Sequence, residues 1–553
     1  MSNFEQKLLD AVRQAVRLAY GIEPEESVLL IETPKDPKLG DYASSTAMKL
    51  ARTLRLNPLV IAEALAEQLR ALLPEAESVT VAKPGFLNFR LKKEALAALI
   101  NQVLDADGDY GKNSSGAGKK VLVEWVSANP TGDLHCGHAR NAAWGDAICR
   151  LMEASGWEVL REYYVNDAGN QIVMLGKSLE ARYFEHFGRD DYPLPENGYH
   201  AADVKQIAEQ IAEQDGDKWL DADPAERLEY FKSFGKAREL EKIDRDLKLY
   251  RVRMESWMHE TYFYADDMAR IKAVLARMAE MGLTYEQDGA LWFRSSQYGD
   301  EKDRVLRKSD GTLAYLTPDI ANHVHKVERG YPKLVDLWGA DHHSYVTRMQ
   351  AALKALGYPE GTLTVDLIQM VRMVEDGKEV KMSKRTGNAI TIRELCEDIG
   401  VDAARWFFAS KDVSTHMDFD LKLARSKDNN NPVFYAQYAH ARMCSVLRNP
   451  KIPAFHREES YGRLTDEKEL QLLKMIGEFP AEVAADAEAR KPNKMTDYII
   501  SLVKVFHSYY NSTKVNNPED PELTNQRLGL ITAARITLRN AMNLIGVSAP
   551  ESM

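Results

Sequence analysis

The spacing of apolar and polar positions divides the chain into three stretches of different character. From Phe4 to about Leu104, amphipathic helical runs such as NPLVIAEALAEQLRALL alternate with strand-like pieces such as SVTVAKPGFLNFRL, which predicts a small α+β domain. The middle stretch repeats a short, β-branched apolar run followed by a helical period, which is typical of a parallel α/β sheet. Its strand-like runs are VLVEWVS, WEVLREYYVND, YPKLVDLWGAD and LTVDLIQMVRMV. After about Val401 the strand signals stop, and helix-compatible segments run almost to Met553.

Changes in composition give the expected domain boundaries. The segment GKNSSGAGKK (111–120) concentrates Gly, Ser and Lys, as flexible connectors do. We therefore expect an α+β domain at 1–112, a parallel-sheet domain at 113–425 and an all-helical domain at 426–553. Within the middle domain, residues from about 195 to 240 are polar, acidic and helix-prone, which indicates an inserted surface element.

Composition and charge exclude several classes of protein. The chain has 553 residues, and its four cysteines include no C-x-x-C pair, so neither a disulfide framework nor a thiolate zinc site is indicated. The N-terminus lacks the apolar region of a secretory signal, and no apolar stretch is long enough to span a bilayer. We expect a cytoplasmic protein. A formal net charge of −11 still permits a local basic groove for RNA.

The stretch EWVSANPTGDLHCGHARN places two histidines where a predicted strand passes into a helix. A helix N-terminus offers unpaired N–H groups and a positive dipole end, so a phosphate suits this position. His135 and His138 can donate hydrogen bonds to charge that develops on phosphorus, and Gly137 lets a flat base approach the backbone. Taken alone, H-x-G-H describes equally well two incidental histidines at a helix start.

A second motif, KMSKRTGNAI (381–390), is a basic loop that precedes a predicted helix. Lysine is a point charge on a mobile stem, so Lys381 and Lys384 can close onto the β- and γ-phosphates as pyrophosphate leaves. A lone K-x-x-K is more often a solvated basic turn. Its position downstream of H-x-G-H on the same α/β domain favours the phosphate-binding interpretation.

Together, HCGH and KMSKR resemble the two signature sequences of class I aminoacyl-tRNA synthetases, HIGH and KMSKS. The resemblance implies a Rossmann-type catalytic domain, ATP with Mg²⁺ as co-substrate, and no structural metal. It also implies a two-step reaction in which an amino-acid carboxylate attacks the α-phosphate before transfer to the terminal adenosine of tRNA. The chain departs from the pattern at Cys136, in place of an apolar residue, and at Arg385. By resemblance, ATP contacts come from the residues of the two motifs: His135, Gly137, His138, Lys381, Met382, Ser383 and Lys384.

Within that class the chain resembles arginyl-tRNA synthetases, through EWVSANPTGDLHCGHARN, YYVNDAGNQI, AYLTPDIA and WGADHH. The resemblance implies that Glu124 and Asn129 orient the carboxylate and amino groups of the substrate. Tyr315 would contact the guanidinium end, and Asp319 would recognise it. Many relatives have Arg where Pro318 stands. His342 and His343 lie near a substrate-binding glutamine of some relatives, and structural or nucleotide-contact roles suit them equally.

The chemistry of arginine agrees with this interpretation. A guanidinium needs a carboxylate in fork geometry, and residues 315 and 319 share one face if their segment is helical. A bidentate site also rejects lysine without proofreading, because lysine would leave acceptors unpaired. Between the two motifs nothing resembles the large editing domain of the isoleucine, leucine and valine enzymes. The alternative for Asp319 is a helix cap or surface acid, and for Tyr315 a half-buried aromatic.

The two ends of the chain carry the expected RNA-binding parts. GDYASSTAMKLAR, with Tyr42, resembles a block of the N-terminal domain that contacts the tRNA elbow in this family. VDAARWFF (401–408) resembles the D-A-L-R element that names the helical anticodon-binding domain. Tyr435, Tyr438 and Arg442 follow it, and aromatic and basic side chains together suit unstacked bases. An aromatic stripe at helical spacing is as often part of a core.

These observations predict an enzyme with tRNA(Arg), L-arginine and ATP as partners, no membrane contact, and a monomer as the family default. One alternative is a class I synthetase for cysteine or glutamate, although zinc ligands of the cysteine enzyme are missing. Another is a small-molecule adenylate-forming ligase, which would not need the long helical C-terminus. A third is a catalytically degenerate RNA-binding protein, against which both histidines and both lysines count.

Overall fold

The computed structural model describes residues 3–32, 34, 36–189, 191–380 and 389–553. The chain forms two compact units, each built from more than one segment. The first unit combines residues 1–115 with 428–544 and 548–553, and the second combines residues 116–427 with 545–547. The first unit therefore contains both ends of the chain.

The N-terminal segment is the α+β fold that its periodicity predicts. An antiparallel sheet of order β1-β3-β2 is covered by α1, α2 and α3, because Leu65, Leu69 and other apolar residues of α3 face Leu87 and Phe89 of β3 in one core. Asn57 caps α3, its side chain accepting from the N–H of Leu59, and Pro58 stands at the first helical position. The elements are α1 (Asn3–Tyr20), β1 (Tyr42–Ser44), α2 (Thr46–Leu54), α3 (Pro58–Leu72), β2 (Ala76–Ala82), β3 (Phe86–Leu91), α4 (Lys93–Ala97) and α5 (Leu99–Ala106).

The second unit is built on a parallel sheet of order β11-β10-β4-β5-β6. The central strand β4 is buried at Val121, Leu122 and Val123, as strands covered on both faces are. The sheet and its helices are β4 (Lys120–Glu124), α6 (Cys136–Ala154), β5 (Glu158–Val165), α7 (Asn170–His186), α8 (Ala202–Asp215), α9 (Pro224–Leu249), β6 (Ser256–His259), α10 (Thr261–Glu280), α11 (Leu316–Glu328), β10 (Lys333–Gly339), α12 (His343–Ala355) and β11 (Leu363–Ile368).

The predicted insertion is part of a longer helical connection between β5 and β6. Its helices α8 and α9 pack on α7 around Ile207, Ile211, Trp219 and Phe231, which form a core of their own. The prediction of helices is confirmed, and the two helices extend to Leu249, beyond the predicted end near residue 240.

Two small sheets and several short helices make up the other described elements of the second unit. One sheet is antiparallel, and the other pairs β14 in parallel with β12. The strand β14 lies after Val401, so the prediction that strand structure stops there is wrong; its four residues are too few to show a clear alternation. The elements are β7 (Thr284–Gln287), β8 (Ala290–Phe293), β9 (Arg304–Arg307), β12 (Val371–Glu375), β13 (Lys378–Glu379), α13 (Ile392–Ile399), α14 (Val401–Ala409), β14 (Met417–Asp420) and α15 (Leu421–Arg425).

The C-terminal segment is helical, as predicted. Asp466 and Glu469 form a reciprocal capping box at the start of α17, and Pro480 lies inside that helix. None of the helices in the described part of the chain combines the length and apolar character needed to cross a membrane. The long helices are α16 (Pro432–Leu447), α17 (Glu467–Ala489), α18 (Pro492–Ser512) and α19 (Pro521–Leu544).

Candidate active site

The loop that follows the central strand β4 begins with a strained turn. Val126 and Ser127 have φ angles of 66° and 39°, a region that β-branched residues rarely adopt. Neighbouring elements hold this turn, since the N–H of Val126 donates to Asn141 of α6 (2.9 Å) and the N–H of Tyr164 donates to the Ser127 hydroxyl (3.0 Å). These hydrogen bonds fix the direction in which the loop leaves the carboxyl end of β4. In open α/β sheets, ligands bind at this end of the strands.

The two histidines of HCGH cap the N-terminus of α6. The Nδ1 atom of His135 accepts from the N–H of Gly137 (3.1 Å), and the Nδ1 atom of His138 accepts from the N–H of His135 (3.2 Å). Their rings stack with centroids 3.9 Å apart. Burial lowers the pKa of His135, and burial together with His135 lowers the pKa of His138 to about 3. Both rings are therefore neutral at pH 7, with the Nε2–H of each left as the donor.

The segment that emerges from KMSKR lies against HCGH. Residues 381–388, which include Lys381, Met382, Ser383 and Lys384, are outside the described residues. Directly after them, the carbonyl of Ile390 accepts from the N–H of Cys136 (2.9 Å), and the N–H of Ile392 donates to the carbonyl of Leu134 (2.8 Å). A bridge between His135 and Thr391 lies between these two bonds. The end of one motif is thus hydrogen-bonded to the start of the other.

A buried charge network lies beneath the loop. Lys326 of α11 donates to Glu124 (2.6 Å) and to Asp336 (3.1 Å), and Asp336 also contacts Nε2 of His323 (2.8 Å). Burial raises the pKa of Glu124, and Lys326 opposes that effect. The other ring nitrogen of His323 lies 2.8 Å from the carbonyl of Asp319. The network therefore connects the end of β4, where Glu124 lies, with the first turn of α11, where Asp319 lies.

The segment with Tyr315 and Asp319 is helical, as the spacing argument requires. Asp319 lies in the first turn of α11, and Tyr315 directly precedes that helix with αR dihedrals. The Tyr315 side chain is 90% exposed, whereas Asp319 is half-buried and accepts from the hydroxyl of Tyr345 at 2.5 Å. Burial raises the pKa of Asp319, with Tyr345 opposing. Asn129 is half-buried in the loop after β4.

A second carboxylate, Glu260, faces the same region. It directly follows β6, and its N–H donates to the carbonyl of Val165 at the end of β5 (2.9 Å). Burial, together with the negative charges of Asp319 and Asp167, raises the pKa of Glu260 to about 7. Neither Glu260 nor Asp319 forms an ion pair with any residue that the structure describes. Two half-buried acids without a partner cation make a region of negative potential that suits a cationic ligand.

The residues proposed for RNA contact fall into two groups. Tyr42 is only 2% exposed, so its ring has no face to offer a base, and the RNA-contact prediction does not extend to it. Arg442 of α16 lies over the ring of Tyr438 (4.8 Å) and near that of Tyr510 from α18 (5.6 Å). The ring of Tyr435 lies 5.1 Å from that of His507. Tyr435, Tyr438 and Arg442 thus belong to one half-buried aromatic and basic cluster on α16 and α18.

Three family descriptions together match most of the chain. The catalytic domain of class I tRNA synthetases (R) matches residues 99–428, the arginyl tRNA synthetase N-terminal domain matches residues 6–91, and the DALR anticodon binding domain matches residues 436–553. Arginine–tRNA ligase 1 of Halalkalibacterium halodurans is 48% identical over all of both chains, and arginine–tRNA ligase of Bacillus subtilis is 47% identical over all of both. The chain belongs to the arginyl-tRNA synthetase family. In fold it resembles arginyl-tRNA synthetase of Thermus thermophilus, with a TM-score of 0.75, 24% identity, and coverage of 99% of this chain and 100% of that one.

The D-A-L-R-like element VDAARWFF (401–408) lies within the residues that match the catalytic domain, outside those that match the DALR anticodon binding domain. Its arginine, Arg405, is fully buried in α14 and donates to Asp146 of α6 (2.5 Å). It also donates to the carbonyls of Tyr250 (2.9 Å) and Ile545 (3.1 Å). The element therefore belongs to the core of the second unit, and it holds the short C-terminal segment 545–547 there.

Several pocket residues of this family member are absent from the sequence-based prediction. Glu260 follows a strand of only four residues, SWMH, which has no clear alternation. Its position after a parallel strand is the signal that could have found it. Lys326, Asp336 and Tyr345 come from separate elements, so their proximity to the predicted residues depends on the packing of the sheet. His342 and His343 are exposed at the start of α12, which leaves their roles as open as before.

Proposed function

We propose that this chain attaches L-arginine to its tRNA in two steps, forming arginyl-adenylate and pyrophosphate from ATP and then transferring arginine to the terminal adenosine. The proposal is supported by the hydrogen bonds between the HCGH helix start and the segment leaving KMSKR, and by the position of Glu260 after β6 of the same parallel sheet. Both motifs and the acidic residue would then serve one cleft at the carboxyl ends of the strands, where ligands of open α/β sheets bind.

In the activation step, the neutral histidines would act as hydrogen-bond donors. Because Nδ1 of each ring accepts a backbone N–H, the Nε2–H of His135 and His138 is available to the oxygens of the α-phosphate. Donors held in place before the reaction stabilise the charge of a pentacoordinate phosphorus centre without reorganisation. Lys381 and Lys384 would hold the departing pyrophosphate, and Gly137, Met382 and Ser383 would contact the nucleotide.

The acidic pocket would select arginine. Asp319 and Glu260 lack an ion-pair partner among the described residues, and a guanidinium supplies the missing charge in a planar fork that carboxylates match. Tyr315 would lie over the guanidinium end, since it is exposed beside this pocket. Glu124 and Asn129 would orient the amino and carboxylate groups of arginine. The ammonium of lysine would compensate the negative charge but leave some carboxylate acceptors without a hydrogen bond. The pocket would therefore select arginine over lysine without a proofreading step.

Magnesium would enter with the nucleotide. Among the described residues, no group of three or more His, Cys, Asp or Glu side chains could hold a metal ion. Mg²⁺ prefers substrate phosphates and few protein ligands, so it would be held mainly by the phosphates of ATP. Tyr435, Tyr438 and Arg442 would contact the anticodon of tRNA(Arg). The domain boundaries at 112/113 and 425/426, a monomeric state and a cytoplasmic location remain predictions.

The proposal is tested by ATP–pyrophosphate exchange with each proteinogenic amino acid, with and without tRNA. We expect exchange with arginine to exceed that with lysine by at least about 10⁴-fold, because a site built for hydrogen bonds rejects ligands that leave it unpaired. Exchange with cysteine or glutamate, or binding of tRNA without any exchange, would instead support one of the alternatives.

A further inference from the structure

Helix α9 carries a row of charged side chains that contact three separate parts of the candidate active site. Lys236, Glu239, Lys242 and Asp246 follow one another at intervals of three or four residues, so they share one face of the helix. We propose that α9 is a brace, a helix that holds two parts of the site in place: the arginine pocket (Glu260 and Asp319) and the nucleotide loop before HCGH (Asp133). In this proposal Lys236 is a positioning residue for arginine, and Lys242 is a positioning residue for ATP. The inference rests on the function proposed above and assigns a role to the insertion.

The first contact is with the arginine pocket, through Asp167. Lys236 donates to the Asp167 carboxylate (2.9 Å), whose side chain is fully buried at the end of β5. The same carboxylate contacts Nδ1 of His259 (2.8 Å) and accepts from the N–H and the hydroxyl of Thr261 (2.9 and 3.1 Å). Asp167 therefore clamps both chain neighbours of Glu260.

The electrostatics of Asp167 show why Lys236 is needed there. Burial alone would raise the pKa of Asp167, but the hydrogen bonds from His259, Lys236 and Thr261 lower it. An ionised carboxylate with four hydrogen bonds from three residues is held rigidly, whereas a buried one with fewer hydrogen bonds is destabilised. Lys236 comes from α9, so the helix sets how firmly the backbone on either side of Glu260 is held.

The second contact is with the nucleotide loop. Lys242 pairs with Asp133 (3.2 Å), two residues before His135, and it also pairs with Glu239 (2.7 Å) and with Asp203 of α8. The Lys242 side chain is largely buried among these acids. Burial would lower the pKa of Lys242, but Glu239 and Asp203 raise it, which favours the charged ammonium. This lysine ties the loop before HCGH to both helices of the insertion.

The third contact is with α13, which follows KMSKR. Arg393 in the first turn of α13 pairs with Asp246 of α9, and Asp246 is almost fully buried. From Lys236 to Asp246 the helix advances by ten residues, or about 15 Å at the helical rise. A single rigid helix therefore joins the wall of the arginine pocket, the loop before HCGH and the helix after KMSKR.

The test compares Lys236→Met and Lys242→Met with Lys248→Met in the full-length chain. Lys248 lies on the same helix, is exposed, and pairs only with half-buried Asp244 in the described structure (2.6 Å), so it is a matched control. We expect Lys236→Met to raise KM for arginine about tenfold in pyrophosphate exchange with tRNA present, with KM for ATP within about twofold. Lys242→Met should raise KM for ATP and leave KM for arginine within about twofold. Lys248→Met should match the parent in both, and Lys236→Arg should restore most of the arginine KM.

The outcomes separate the brace from the proposed function. A parent enzyme without arginine-dependent exchange overturns the function itself. If the parent is active and both methionine variants keep parental KM values, or lose kcat alone to the same extent, the brace is refuted. If Lys236→Met does not fold, Thr261→Val removes one bond to the same Asp167 carboxylate, and an unchanged KM for arginine in that variant refutes the arginine arm.

Discussion

At the scale of single residues, the two carboxyl groups of the arginine pocket, Asp319 and Glu260, have no ion-pair partner among the residues that the structure describes. Burial raises the pKa of Asp319, and burial and neighbouring acids raise that of Glu260 to about 7. Lys326, in contrast, already forms ion pairs with Glu124 and Asp336, so it does not neutralise Asp319 or Glu260 through an ion pair. A bound guanidinium would complete the pocket, so the two carboxylates should control affinity for arginine more than the rate of chemistry.

Replacing Asp319 with Asn tests the first carboxylate. The amide keeps the size of the side chain but loses the charge and one acceptor, and a hydrogen bond to a charged group contributes about 1.5–3 kcal/mol. We therefore expect KM for arginine to rise by about 10- to 100-fold, with KM for ATP nearly unchanged, in pyrophosphate exchange. Tyr345→Phe, which removes only the hydroxyl donated to Asp319, should have a smaller effect. A parental KM in Asp319→Asn would remove this residue from recognition.

The pH dependence of arginine binding tests Glu260. The pKa of the Glu260 carboxyl is raised to about 7, so this group is mostly protonated below pH 7 and mostly ionised above it. A guanidinium binds the ionised form, so affinity for arginine should strengthen as pH rises from 6 to 8, and binding should release a proton. Isothermal titration in buffers of different ionisation enthalpy measures both effects. Glu260→Gln should bind more weakly and show a flatter profile; a profile as steep as that of the parent contradicts the assignment.

At the scale of elements, buried ion pairs lock helices of the second unit together. Asp146 of α6 accepts from Arg405 of α14 (2.5 Å), from Arg161 of β5 (2.6 Å) and from Arg150 (2.6 Å). Burial would raise the pKa of Asp146, but the three guanidinium groups lower it to about 2. Since α6 begins with HCGH, this network fixes the helix that positions the two histidines.

Replacing Arg405 with Met tests the network. Removing one partner of a buried ion pair costs about 3–5 kcal/mol, because the remaining charge is left less well compensated. We expect the melting temperature to fall by about 5 °C, measured by calorimetry. Arg372→Met, which breaks an exposed pair with Asp418 (2.7 Å), should shift it little, since surface pairs contribute about 0–1 kcal/mol. Equal shifts in the two variants would contradict a special role for the buried pair.

At the scale of the whole molecule, the two ends of the chain fold as one unit. Tyr110 donates to the carbonyl of Ile476 in α17 (2.8 Å), and the amide of Asn540 in α19 donates to the carbonyls of Asp107 and Tyr110 (2.7 and 2.9 Å). Lys474 reaches the carbonyl of Asp41 in the N-terminal segment (3.0 Å). The N-terminal segment is therefore completed by residues more than 300 positions away.

A chain shortened to residues 1–427 tests this dependence. Without the C-terminal helices, residues 1–115 lose their packing partner, and we expect amide hydrogens in α5 to exchange much faster than in the full chain. Amides of β4 and β10 in the second unit serve as the internal control. Asn540→Ala in the full chain should weaken protection around residues 107–110 in the same direction. Unchanged protection in α5 of the shortened chain would show that the N-terminal segment is independent.

Local signals in the sequence were sufficient for the type and order of most elements. Four parallel strands, the N-terminal α+β fold and the C-terminal helices follow from periodicity, because each has a long enough run of alternating or helical spacing. Short strands such as β6 and β14 were not predicted, because four residues are too few to show a clear alternation of apolar and polar positions. The motif HCGH was found because its residues are neighbours in the chain, and its capping role follows from its place at a helix start.

The sequence by itself determined the class of chemistry, since the two motifs and the arginine-type blocks are contiguous and depend on no packing. Only the tertiary structure decided which groups share the pocket. Glu260 lies close enough to Asp319 for their charges to interact, and Lys326 forms ion pairs with Glu124 and Asp336. The tertiary structure also placed Tyr42 in a core and Arg405 under a C-terminal segment. The physical reason is that burial and charge compensation depend on distances between segments far apart in the chain, which no local pattern encodes.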